Sequence, residues 1–66
     1  MTGAVTAFDV QRGLGEITTA DGTVYAFHAT TIADGTRTIT VGADVQFEVR
    51  PGRAGNWEAA AIAPRS

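Results

Sequence analysis

Residues 3–18 read Gly3-Ala4-Val5-Thr6-Ala7-Phe8-Asp9-Val10-Gln11-Arg12-Gly13-Leu14-Gly15-Glu16-Ile17-Thr18. Two short segments suited to strands, Ala4 to Val10 and Leu14 to Thr19, flank a turn at Gln11-Arg12-Gly13. Gly13 and Gly15 bracket a tight approach to the second segment. Gly15 also lacks a Cβ where a curved strand would crowd its neighbour. A Gly-x-Gly alone is a weak signal, so its weight depends on the pattern of the residues C-terminal to it.

Downstream, turn signals recur about every ten residues: Asp21-Gly22, Asp34-Gly35, Val41-Gly42, and Pro51-Gly52 through Gly55. The second strand joins Val24–His28 through Ala20-Asp21-Gly22-Thr23, where glycine tolerates a positive φ. A loop from Ala29 to Thr38 leads to Asp44–Arg50. There Val45, Phe47 and Val49 alternate with Asp44, Gln46, Glu48 and Arg50, the pattern of a half-buried strand. A last strand runs from about Asn56 to Ala63. Within it Glu58 and Ile62 fall on one face, so either a bulge intervenes or Ile62 lies near the strand's end. No stretch keeps a helical period for three turns. Short antiparallel strands in so small a chain favour a closed barrel, because closure removes exposed edges. The expected fold is all-β, a five-stranded antiparallel Greek-key barrel, with residues 1–66 as a single domain. In the third strand Tyr25 and Phe27 share a face, and aromatic burial places them in the core.

Composition narrows the function. A chain of 66 residues buries only about 60% of its unfolded surface, so its core is thin. Without cysteine there is no disulfide framework and no thiolate zinc site, and the lone His28 cannot build a metal cluster. No cofactor is implied. Lys and Arg total five, all arginine, against seven acids, for a net charge of −2. That balance argues against strong, non-specific phosphate binding. The opening residues do not resemble a targeting segment, and the longest apolar run, Ala59 to Ala63, is too short to span a membrane. A monomeric, cytoplasmic protein is the default expectation. An enzyme is disfavoured: no cysteine is present, histidine occurs once, and no carboxylate pair has a spacing suited to acid–base work.

The 3–18 segment resembles the signature of bacterial cold-shock proteins, which continues with a basic residue and a Gly-aromatic-Gly-aromatic-Ile run. Phe27-His28, Ile32, Gly35, Gly42 and the Val45-x-Phe47 pair come in matching order, so the resemblance covers nearly the whole chain. It implies an OB-fold of the cold-shock type that binds single-stranded RNA or DNA. Bases stack on aromatic residues of the sheet, at roughly 1–3 kcal/mol each, while basic residues track the phosphates. The family's platform is largely missing. Ala7 stands at the usual tryptophan, Leu14 and Glu16 at the aromatics of the second strand, and Thr36 at the loop aromatic. Aligning on His28 puts Ala26 and Ala29 where phenylalanines are usual. A shift by one residue would turn Tyr25 and Phe27 outward. The His28 alignment is preferred, since it also aligns Ile32 and keeps both rings for the core.

The candidate nucleic-acid residues are Phe8, Arg12, Leu14, His28 and Trp57. Each has a plainer reading. Phe8 is a base stacker or a partly buried barrel residue; Arg12 contacts phosphate or is a solvated loop arginine. His28 stacks or donates a hydrogen bond, or is an exposed strand histidine. Leu14 can touch a base face but cannot match an aromatic. Glu16 opposes the function, because a carboxylate repels phosphate. Trp57 plugs the barrel end against Ala59 and Ala61, the preferred reading, or stands exposed as a relocated stacker or protein contact. Two functions are open. One is a weak single-strand binder with a role in gene expression or RNA chaperoning. The other is a module that keeps the barrel but docks a protein of the transcription or translation machinery.

Overall fold

The computed structural model describes residues 1–33, 35, 38–52 and 55–65. Thr36 lies outside them, as do Asp34, Arg37, Arg53, Ala54 and Ser66. The strands are β1 (Thr2–Asp9), β2 (Leu14–Thr18), β3 (Val24–His28), β4 (Asp44–Pro51) and β5 (Trp57–Pro64). They close into a barrel in the order β1-β2-β3-β5-β4. A short 3₁₀ turn, Ala29–Thr31, comes directly after β3.

The β1–β2, β2–β3, β1–β4 and β4–β5 seams are antiparallel, as the short turns require. The closing seam is not. β5 runs parallel to β3, with Ala26 opposite Glu58, and a parallel bridge pairs Ile32 with Ile62 beyond it. The Ala33 N–H donates to the Ile62 carbonyl at 2.8 Å and ties the loop to β5 there. The barrel is the expected five-stranded Greek key, antiparallel at four seams and closed by this one parallel seam. The long connection after β3 carries the chain away, so β5 returns in the same direction as β3.

Side-chain alternation fills the interior. Val5, Ile17, Phe27, Ile32, Val45, Phe47, Ala59 and Ile62 form one buried cluster. On β4 the apolar set turns inward and Asp44, Gln46, Glu48 and Arg50 face solvent, as the alternation requires. Phe27 is fully buried, and half-buried Tyr25 packs its ring 5.6 Å from Phe47. Both aromatics of β3 thus belong to the interior, which excludes the shifted alignment.

Two bulges set the faces. In β1 the register slips between Val5 and Ala7, so Thr6 is the extra residue. The Thr6 hydroxyl lies 3.0 Å from that of Thr18 across the strand. Beyond the slip, Phe8 falls opposite Gly15 on the inward row instead of the outward one. In β5 the slip lies opposite Phe47, and Ala61 has φ 51°. This bulge buries Ala59 and Ala60 in succession and returns Ile62 to the core, resolving the conflict between Glu58 and Ile62.

The β2–β3 turn is held by its own side chains. The Thr19 hydroxyl and Thr23 N–H donate to the Asp21 carboxylate, and Gly22 has φ 88°. Those bonds, the one from Thr19 foremost, hold the Asp21 carboxyl below the usual carboxylate range.

Candidate nucleic-acid interface

The outward face of β1, β2 and β3 is built from rungs. Asp9, Leu14 and His28 form one rung, and Ala7, Glu16 and Ala26 another. Between them runs the inward rung Phe8, Gly15 and Phe27. Because Gly15 has no side chain, the Phe27 ring lies directly beneath its Cα. A Cβ at Gly15 would overlap that ring and come within 2.8 Å of the Ala7 carbonyl oxygen. The Phe8 ring then stacks on Phe27, with centroids 5.9 Å apart and planes 6° from parallel. Phe8 is half-buried at the barrel mouth, where part of it still reaches the surface.

These rungs enclose a groove of about 430 Å³ that brings Phe8, Leu14 and His28 together, with Glu16 and Ala26 at its far side. Leu14 is 40% exposed there. The β1–β2 turn adjoins it. The Asp9 carboxylate accepts the N–H groups of Gln11 and Arg12 at 3.0 and 3.1 Å, which shapes the turn. The Ala29 N–H donates to the Gly13 carbonyl at 2.7 Å and fixes the turn against the end of β3. Arg12 and His28 consequently line a common second groove. The ion pair among the described residues is Arg50–Glu48, so Arg12 is uncommitted in that set.

Trp57 lies elsewhere. It is 59% exposed at the start of β5, not a plug of the barrel end, and this corrects the preferred reading of it. β5 begins beside the closing seam, and the indole lines a third groove with Glu16, Val24, Tyr25, Ala26, Asn56 and Glu58. Glu16 and Ala26 border both this groove and the first. The candidates therefore fall in order along one strip. Arg12 and His28 come first, then Leu14 with Phe8, then Glu16, and Trp57 last. The place of Glu58 beside Ala26 is not readable from the sequence, because a parallel seam leaves no mark in the alternation of either strand.

The sequence model of the 'Cold-shock' DNA-binding domain matches residues 1–64. The chain belongs to the cold-shock domain family. Membership makes it a nucleic-acid-binding, cold-shock-like barrel, and the family as a whole implies single-stranded ligands. No curated protein matches the chain. Among the described residues no helix is long and apolar enough to cross a membrane.

Proposed function

We propose that this cold-shock domain binds single-stranded RNA or DNA weakly, along a path from Arg12 past His28 and Leu14 to Phe8. The observation that carries the reading is the shared groove in which β1, β2 and β3 present Phe8, Leu14 and His28, with Arg12 beside them. Arg12 meets a phosphate, His28 and Leu14 contact base faces, and the reachable part of Phe8 closes the groove. Trp57 stays off this path, since Glu16 stands between. The weakness has a definite source. With three stacking positions missing at about 1 kcal/mol each, affinity falls by roughly two orders of magnitude. Glu16 adds repulsion where a family aromatic would stand. Fast, weak contacts of this kind suit RNA chaperoning in the cytoplasm better than tight sequence-specific control.

Anisotropy of a labelled oligo-dT or oligo-U at low salt tests the reading. The expected result is saturable binding, with affinity falling as salt rises, at a slope near about −0.7 for one phosphate contact. No saturation below about millimolar, with no salt dependence, would instead favour a barrel that has given up nucleic acid for a protein partner.

A further inference from the structure

Glu16 brings to the first groove a polar side chain that the stacking path does not use. It faces outward on β2, on the rung between Ala7 and Ala26, so a methyl group is its neighbour on either side. Both alanines line the groove with it, as do Phe8 and Leu14, and the walls around it are largely apolar. Asp9 lines the groove too, but its Oδ1 already accepts the Gln11 and Arg12 N–H groups. The Thr6 hydroxyl donates to the main-chain carbonyl of Glu16. The Glu16 carboxylate itself has neither a hydrogen bond nor an ion pair among the described residues. Two residues along β2 separate Glu16 from Leu14, which sets their Cα atoms roughly 7 Å apart. A base lying over Leu14 therefore has room to bring one edge to that carboxylate at a hydrogen-bond distance of about 2.9 Å.

We infer that Glu16 makes the groove selective for guanine, which rests on the proposed single-strand path and names the base it prefers. A carboxylate only accepts hydrogen bonds. Phosphates are acceptors as well, so what a nucleic acid offers Glu16 is chiefly the N–H groups of base edges, which single strands leave open. Guanine presents two of these side by side, N1–H and one N2–H, and the two oxygens of one carboxylate can take them together. Adenine and cytosine each set a single amino group beside a ring-nitrogen acceptor. Thymine and uracil set N3–H between two carbonyl oxygens, which a carboxylate repels. The residue that weakens the phosphate contact thus rewards one base, and an all-thymine strand falls at the weak end of the range.

Short labelled oligo-dT strands with one central guanine, hypoxanthine or adenine, beside the all-thymine strand, test this by anisotropy at low salt. Hypoxanthine keeps the purine ring and N1–H but lacks the N2 amino group, so it separates the paired hydrogen bonds from stacking. The guanine strand should bind roughly fivefold or more tighter than the hypoxanthine and adenine strands. Glu16→Gln removes the charge and one acceptor. In that variant the guanine advantage should fall to about twofold or less, while the all-thymine strand binds more tightly than to wild type. Those opposite signs distinguish a base reader from a residue that merely supports the fold, and far-UV circular dichroism checks that the variant is folded. Equal affinity for the guanine and hypoxanthine strands overturns the inference. A guanine advantage that survives intact in Glu16→Gln does so too. Saturable binding of every strand without base preference removes this inference and leaves the proposed function standing. Failure of all the strands to bind removes both.

Discussion

Leu14 shows how one side chain sets the strength of a nucleic-acid contact. It stands outward between Asp9 and His28 on the cross-strand rung, 40% exposed, and the core does not depend on it. Its branched end gives a base apolar contact but no ring to stack on. Leu14→Phe restores a ring at that point of the groove. At about 1 kcal/mol for the least favourable stack, oligo-dT affinity should rise roughly fivefold or more. The melting temperature should hardly move, because the site is on the surface. Anisotropy at low salt and a thermal melt check both halves. A higher melting temperature without tighter binding would mean that the new ring packs onto the barrel instead of into the groove. Phe8, by contrast, is open to two readings in the sequence, stacker or barrel residue. The extra residue at Thr6 turns it onto Phe27, a change of phase that composition at that position does not announce.

At the scale of elements, Gly15 joins the core to the interface. Its bare Cα lets Phe27 pass beneath β2, and Phe27 in turn carries the Phe8 ring. Gly15→Ala would drive a methyl group against the Phe27 ring and the Ala7 carbonyl, with backbone on one side unable to yield. Overpacking of this kind costs typically about 1–3 kcal/mol. Urea denaturation should show a lower midpoint with an unchanged slope, and oligo-dT binding should weaken because the groove's floor is displaced. A midpoint equal to wild type would show that Phe27 can move aside freely. The role of Gly15 was legible in the sequence, as were the strand positions and the inward sets on β3 and β4. Each rests on a local signal: turn glycines, period-two alternation, and aromatic pairs. Partner choice at the closing seam is a different matter. Whether β5 meets β3, and in which direction, depends on how the Ala29–Thr38 connection carries the chain. Trp57, Glu58 and Glu16 became neighbours only through that choice.

Taken whole, the molecule has one core for its 66 residues, and every strand contributes to it. Domains hold roughly 0.05–0.15 kcal/mol of stability per residue, which gives about 3–10 kcal/mol here. Phe27 is 1% exposed at the centre of the cluster, and it also supports Phe8 and fills the space below Gly15. Replacing a buried Phe by Ala costs about 3–5 kcal/mol, because the transfer term and the cavity term add. Those two ranges overlap, so Phe27→Ala should take the barrel to the edge of unfolding at room temperature. The expected signature is poor amide dispersion in NMR spectra, or a urea transition starting near zero denaturant, with oligo-dT binding lost alongside. Leu14→Ala supplies the contrast: it removes apolar contact from the groove while its spectrum stays dispersed. Should Phe27→Ala keep a cooperative transition within about 1 kcal/mol of wild type, the barrel would have to close its interior without that ring. The Phe8–Phe27 stack could then no longer be what holds the groove in shape, and the link from core to interface would have to pass through the backbone hydrogen bond between Gly13 and Ala29 instead.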